Sequence, residues 1–262
     1  MTVSVELPTS LPGLRAVRTT TSSLLSGVKH YHAVGRLEHG AIEWWGRGRV
    51  WQSTPGAIQI KEPGDVHRDL ARRGASVFTV ITLPSEEIEH AREAGRVVSS
   101  AQLDPGDTRA VPFHRLHDAV IANADRLALE VILAEAILTF SRLREARPGH
   151  SRPVRRAMDY LHAHLAESIT LDDLASHASL DKFHLCRAFR AQIGMPPHAY
   201  LTHLRVQRAK ELLASGARAS ELAPRVGLYD QSQLTRHFRR IVGTTPGRYA
   251  NERRGTARAG RA

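Results

Sequence analysis

Leu185-Cys186-Arg187-Ala188-Phe189-Arg190-Ala191-Gln192-Ile193-Gly194-Met195-Pro196-Pro197-His198-Ala199-Tyr200 returns 49 residues later as Leu234-Thr235-Arg236-His237-Phe238-Arg239-Arg240-Ile241-Val242-Gly243-Thr244-Thr245-Pro246-Gly247-Arg248-Tyr249, with seven of sixteen positions identical. In each copy the Leu, the Phe and the apolar residue before Gly fall on one helical face, and the Arg residues share another, as a period near 3.6 requires. Gly194 and Gly243 suit left-handed helix stops, and Pro197 and Pro246 prevent continuation before a new helix opens toward the Tyr. The repeat therefore predicts two amphipathic helices, each with a basic outer side.

What precedes each copy completes a unit. Ahead of the first, Thr170 is an N-cap candidate, and Asp172 and Asp173 suit the positive end of a short helix. Leu174-Ala175 of this segment returns as Leu222-Ala223 ahead of the second copy, an offset of 48. A short helix, a tight turn and a longer basic helix make a helix-turn-helix, whose second helix can enter a DNA major groove. Charge points the same way. Residues 150–262 carry 19 Lys+Arg against 9 Asp+Glu, a balance of +10, whereas residues 1–149 carry 18 against 17. Almost the whole excess of +11 lies in the half that holds the repeat, where a polyanion would be attracted by phosphate neutralisation.

Residues from about 153 to 250 resemble the DNA-binding domain of AraC-type (AraC/XylS) transcriptional regulators. The most diagnostic run is Gly227-Leu228-Tyr229-Asp230-Gln231-Ser232-Gln233-Leu234-Thr235-Arg236-His237-Phe238, closed by Gly243-Thr244-Thr245-Pro246. The segment from Tyr200 to Leu213 resembles the family's linker helix. The resemblance implies two helix-turn-helix units per chain, double-stranded promoter or operator DNA as a partner, and RNA polymerase as another. One residue departs from the pattern. Pro224 falls inside the short helix of the second unit, where the family has a good helix former, so that helix is expected to begin later or to be distorted.

Leu185 and Phe189 must face the core, so Lys182, Phe183, Cys186, Arg187 and Arg190 are the outward candidates of the first unit. Asp230, Gln231, Ser232, Gln233, Arg236 and Arg240 are those of the second. By the resemblance, Phe183, Cys186 and Arg187 match base-facing positions of the first unit, and Gln231, Gln233 and Arg236 those of the second. Arg can bond a guanine edge in bidentate fashion, Gln an adenine, and Phe can meet a thymine methyl. Each Arg is equally suited to a phosphate. Cys186 is the single cysteine, so no internal disulfide forms, and no Cys/His spacing suits a structural zinc.

The first half reads differently. Short β-branched and aromatic segments at 28–34, 41–45, 49–52, 57–60 and 77–83, punctuated by Gly and Pro, predict a small barrel or sandwich. Helices are predicted at 85–95 and as a pair over 113–147, the second at 125–145. His30-x-His32 and Pro63-Gly64-x2-His67 resemble weakened cupin motifs, and a cupin barrel is common at the N-terminus of AraC-type regulators. On a strand His30 and His32 would share a face, with His67 approaching from another strand. Three readings stay open: a transition-metal site completed by Glu38 or Glu43, a lining for a small organic effector, or core histidines satisfied locally. The carboxylates lie too far along the chain for the cupin pattern, which favours the non-metal readings. Trp44, Trp45 and Trp51 are candidate walls, but Trp44 and Trp45 cannot both face inward; the tentative pocket is His30, His32, Trp45 and His67.

The fold class expected is α+β: a cupin-like β-barrel with flanking helices over 1–147, a linker at 148–153, an all-α double helix-turn-helix over 154–250 and a disordered tail at 251–262. The helix at 125–145 is apolar over most of its circumference, so a partner subunit is expected to cover one side. Its apolar run, broken by Glu130 and Glu135, is short of the ~20 residues that span a bilayer. No basic start followed by an apolar run marks a signal peptide, so the cytoplasm is expected. No catalytic residue, cofactor or metal is called for. The expectation is a ligand-responsive activator that binds DNA as a homodimer. Rivals are a ligand-independent DNA-binding dimer, a metal-dependent cupin enzyme, and a DNA-repair protein, the last needing a reactive cysteine outside the basic half, where none exists.

Overall fold

The computed structural model describes residues 2–91, 101–143 and 150–251, and the chain divides into two compact units, Met1–Gly149 and His150–Ala262. Each has its own core. The first contains β1 (Thr2–Leu7), β2 (Arg15–Thr21), β3 (Ser26–Val28), β4 (Ala33–Gly46), β5 (Arg49–Ser53), β6 (Ile58–Lys61), β7 (Val66–Thr82) and β8 (Gln102–Leu103). They form one antiparallel sheet in the order β1-β2-β7-β4-β6-β8, with β3 joined to β7 and β5 to β4. The spine is the long β4–β7 pair, running from Ala33 opposite Thr82 to Gly46 opposite His67 with three register shifts. Such bulges bend and twist the strands that carry them. Gly40 lies among them at φ +85°, where a Cβ would sit 2.6 Å from Ser76 Oγ.

At β6 the two faces of this sheet differ in chemistry. Along β6, Ile58 and Ile60 join the core formed with helices α1 (Ser85–Ala91), α2 (Val111–Ile121) and α3 (Arg126–Arg142), together with Val34, Ile81, Phe113, Leu133 and Phe140. Gln59 and Lys61 alternate with them and line a cavity on the other side, yet all four residues are buried. Strand alternation thus separates an apolar layer from a polar cavity wall.

Several predicted elements are corrected. The strand at 28–34 is interrupted: β3 stops at Val28 and β4 starts at Ala33, because Lys29 is tied to the 62–65 turn by its N–H to Asp65 O (2.7 Å) and its carbonyl to Gly64 N–H (2.8 Å). The strand at 77–83 begins eleven residues earlier, at Val66. Its first half carries His67, Asp69 and Arg72 into the interior, so it lacks the apolar alternation that marks a strand. β1, β2 and β8 were not predicted. Helix α1 reaches Ala91 and the rest of its predicted span lies outside the described residues, as do the predicted end of α3 at 145 and the tail from 252.

The second unit contains α4 (Arg152–Ala163), α5 (Leu171–Ala178), α6 (Lys182–Ile193), α7 (Pro197–Ala214), α8 (Leu222–Arg225) and α9 (Gln231–Val242). Arg152 and Pro153, assigned to the linker, instead open α4, where a proline in the first turn forfeits no hydrogen bond. Thr170 caps α5 in a capping box with Asp173, and Gly194 and Gly243 end α6 and α9 at φ +88° and +87°. The 18-residue α7 serves both halves of the repeat. At its start, Tyr200 is hydrogen-bonded to His162 Nε2 (3.0 Å) and packs edge-on to Phe189. Further along, Val206, Ala209, Leu212 and Leu213 share a core with Leu222, Val226, Leu234 and Phe238.

Pro224 has the expected effect. The positions equivalent to α5 are split into a 3-10 turn, Ala219–Glu221, and the four-residue α8. A continuous helix from 219 would need an N–H at 224 to reach the carbonyl of Ser220, and proline has none.

Candidate nucleic-acid interface and N-terminal cavity

Helices α6 and α9 stand in matched settings. Asp181 caps α6 by accepting from the N–H groups of Phe183 (3.0 Å) and His184 (2.9 Å), and Asp230 caps α9 by accepting from Gln233 N–H (2.6 Å). These bonds hold the Asp181 carboxyl below its ordinary pKa. The turn before each cap is left-handed, at Ser179 (φ +55°) and Gly227 (φ +74°). Only the second demands glycine, since a Cβ there would lie 2.7 Å from Ala166 O and 2.8 Å from Leu165 O. That carbonyl loop is gripped from α7 by Arg205, which donates to Leu165 O (2.7 Å) and Glu167 O (2.6 Å).

Leu185, Phe189, Leu234 and Phe238 are fully buried, which turns the opposite faces outward. Lys182, Phe183, Arg187 and Arg190 are exposed on α6, with Cys186 half-buried beside them. Gln231, Ser232, Arg236 and Arg240 are exposed on α9. The guanidinium groups of Arg187, Arg190 and Arg236 make no hydrogen bond or ion pair among the described residues, so their donors are available. Others are partly committed. Lys182 pairs with Asp172 (3.2 Å), and Arg240 donates to His237 Nδ1 (3.2 Å), a ring kept neutral by burial and then by Arg240 and Arg236. Asp230 is used by its cap, and Gln233, half-buried, accepts Tyr229 N–H through Oε1 (2.8 Å). Asp230 and Gln233 therefore order the start of α9.

Two residues belong with the outward set although helical reasoning passed over them. Arg239, the counterpart of Arg190, is exposed with no hydrogen bond or ion pair from its guanidinium among the described residues. Tyr229, just before the α9 cap, is 92 % exposed, and Phe183 is 71 % exposed. The repeat itself signalled Arg239. Tyr229 lies two residues before the helix, beyond the reach of a wheel.

The N-terminal histidines separate. His67 lines the cavity and stacks on Trp44 with ring centroids 4.7 Å apart. His32 is a core residue: Nδ1 bonds Ser85 Oγ (3.0 Å) and the ring meets Phe140 edge-on. His30 lies half-buried in the 29–32 connection, off the strands, so the alternation expected to align it with His32 does not apply. Trp45 is half-buried on the outer face; Trp44 is the inward residue, 4 % exposed, with Nε1 donating to Ser53 Oγ (2.9 Å). Glu38 accepts from Arg18 (2.6 Å) and Thr79 (2.5 Å), and among the described residues no cluster of His, Cys, Asp or Glu is arranged to hold a metal ion. Of the tentative pocket, only His67 reaches the cavity.

That cavity has a volume of about 90 Å³ and is partly open to solvent. Its polar wall is a chain: Lys61 Nζ donates to Gln59 Oε1 (2.9 Å) and lies 3.5 Å from His67 Nδ1, His67 Nε2 bonds Asp69 Oδ1 (2.7 Å), and Arg72 pairs with Asp69 Oδ2. Burial, with Lys61 next to it, pushes the His67 pKa down to about 3, so the ring is neutral. Leu37, Ile42, Phe78 and Val80 supply the apolar wall.

Two capped basic helices, built on one repeated scaffold, define a DNA-binding helix-turn-helix protein, and comparisons with known proteins agree. A family model described as a helix-turn-helix domain matches residues 174–252. The HTH-type transcriptional regulator YbfI of Bacillus subtilis is 39 % identical over 218 residues, covering 78 % of each chain. An AraC-like transcription regulator of Streptomyces antibioticus is 35 % identical over 97 residues, 37 % of this chain and 32 % of that one. A structure of ToxT from Vibrio cholerae shares the fold over 95 % of this chain and 96 % of its own, with a TM-score of 0.55 at 10 % identity. The chain belongs to the AraC-type family of DNA-binding transcriptional regulators.

Proposed function

We propose that this protein is a ligand-responsive regulator, an activator in the family's usual mode, that sets α6 and α9 into successive major grooves of double-stranded operator DNA. The observation that carries this reading is the matched pair Arg187 and Arg236, outward and exposed, their guanidinium groups without hydrogen-bonded or ionic partners among the described residues, on two helices that α7 joins. Recognition helices of such units lie about one turn, ~34 Å, apart along the duplex. Phe183, Cys186, Arg190, Gln231, Ser232 and Arg240 complete the readers, with Arg239 and Tyr229 added to them. Lys182 is a phosphate contact in this reading. Scaffold residues match between the units and readers differ, so each chain reads an asymmetric site.

The N-terminal sheet, bent along β4 and β7 around a cavity, is read as a cupin-like effector domain. On α3, Leu127 (70 % exposed), Val131 (53 %) and Leu138 (44 %) form one apolar stripe opposite the buried Leu129, Leu133, Ile137 and Phe140. This stripe is the proposed homodimer contact. Among the described residues no helix is long and apolar enough to cross a membrane. In this reading the protein acts on promoter DNA beside RNA polymerase, in the cytoplasm.

Selection of bound sequences from random duplexes tests the reading, repeated with Arg187→Ala and Arg236→Ala. A base-reading arginine relaxes specificity at one position at a cost of about 1–3 kcal/mol, whereas a phosphate contact weakens all sites alike. Unchanged binding in both variants sinks the assignment of these faces.

A further inference from the structure

The cavity wall contains a cation that the protein leaves incompletely bonded. The Arg72 side chain is 2 % exposed, and only Nη2 is engaged, by Asp69; its Nε and Nη1 are buried with no hydrogen-bond partner among the described residues. Buried polar groups are nearly always paired, and a charged donor left unpaired is costlier than a neutral one. Lys61, also buried, reaches the same wall through His67 and uses its ammonium on two neutral groups, Gln59 and His67. Burial, with Lys29 next, holds the Lys61 pKa well below its ordinary value, as expected where positive charge lacks compensation. Lys29 and Arg36 line the same space, and Asp69 is its acidic lining residue, already shared by His67 and Arg72. Arg36 is turned to Asp118 (2.6 Å) and so adds little to the pocket.

We propose that the N-terminal cavity binds a small organic carboxylate, its oxygens on Arg72 and Lys61 and its apolar body against Leu37, Ile42, Phe78 and Val80. The inference rests on the effector-pocket reading above and names the chemistry of that effector. Nε and Nη1 of Arg72 lie on different edges of the guanidinium, because each two-donor edge includes the Nη2 that Asp69 holds, so a carboxylate takes one charge-assisted bond from Arg72 and a second from Lys61, which a neutral sugar or amide does not reproduce. The apolar wall excludes inorganic anions as the best fit, because they would leave it in contact with water. His67, neutral and fixed by Asp69, orients Lys61 and carries no charge of its own into the site.

The test uses the full chain and two matched pairs of probes, benzoate with benzamide and hexanoate with hexanamide, read by thermal shift and titration calorimetry. The expected result is stabilisation by an acid and not by its amide, since a ligand stabilises by RT ln(1 + [L]/Kd). Arg72→Gln and Lys61→Met should each weaken the acid roughly tenfold or more, as loss of a hydrogen bond to a charged group implies. Arg72→Gln also removes the pair with Asp69; Lys61→Met keeps that pair, so a folding defect in the first leaves the second decisive. Equal shifts from acid and amide overturn the carboxylate and leave an effector pocket. No shift from either pair overturns both the carboxylate and the pocket. Acid binding that survives both substitutions places the anion elsewhere and overturns the site.

Discussion

At the scale of single residues, Gly227 shows how a repeat becomes particular. Ser179 occupies the equivalent turn with a left-handed backbone and a side chain, so positive φ alone does not require glycine. What requires it is the carbonyl loop at 165–166, which would meet any Cβ at 2.7–2.8 Å. Gly243 has similar φ but nothing within 4 Å of a built Cβ. Gly243→Ala should therefore cost about 1–2 kcal/mol, the price of the backbone conformation. Gly227→Ala should cost more, roughly 2–5 kcal/mol, once overpacking is added. Chemical denaturation of both variants decides it, and equal losses would mean that the 165–166 loop yields. Much at this scale was legible beforehand: Thr170 as cap, Gly194 and Gly243 as stops and the outward Arg187 and Arg236 follow from helical geometry. Asp230 and Gln233 were not, because the wheel that turns them outward cannot show that backbone N–H groups already hold their oxygens.

At the scale of elements, α3 and β7 mark opposite ends of what a pattern conveys. α3 announces itself by a continuous apolar run, and its outer stripe of Leu127, Val131 and Leu138 remains uncovered within the described residues. The combined change Leu127→Lys and Val131→Lys should leave the fold intact, as surface substitutions usually do, and shift a dimer toward monomer in sedimentation at micromolar concentration. A wild-type chain that sediments as a monomer with and without DNA excludes this stripe as a dimer contact. β7 was half invisible. Residues 66–73 turn His67, Asp69 and Arg72 toward the interior, so the strand reads as a polar loop until its partner β4 is known. The same inversion, polar inside, hid the cavity: Lys61 and Arg72 look like solvated surface in a sequence, and only their burial reveals them.

At the scale of the whole molecule, acid is the expected weakness. Burial lowers the pKa of His67, His114, His117, His162 and His237. His117 is the plainest case, fully buried with neither ring nitrogen hydrogen-bonded among the described residues. Unfolded, each ring protonates near its ordinary pKa of about 6.5, whereas folded it stays neutral to lower pH. The unfolded state thus binds more protons below that point, and stability is present in full above it and falls as pH drops through it. Melting temperatures should decline between pH 7.5 and 5, with His117→Leu raising stability by about 1–3 kcal/mol at neutral pH and flattening the decline. A melting temperature independent of pH over that interval contradicts the assignment of neutral buried rings.

The 18 residues of α7 amount to a ruler about 27 Å long at 1.5 Å per residue. One residue inserted within it would swing α8 and α9 by about 100° relative to α6, and seven would nearly restore the angle while adding about 10 Å, roughly three base pairs of duplex. Outward side chains on α6 and α9 can drift one at a time and change which bases suit the protein. The length of α7 cannot drift in that way, so operator spacing is expected to outlast operator sequence.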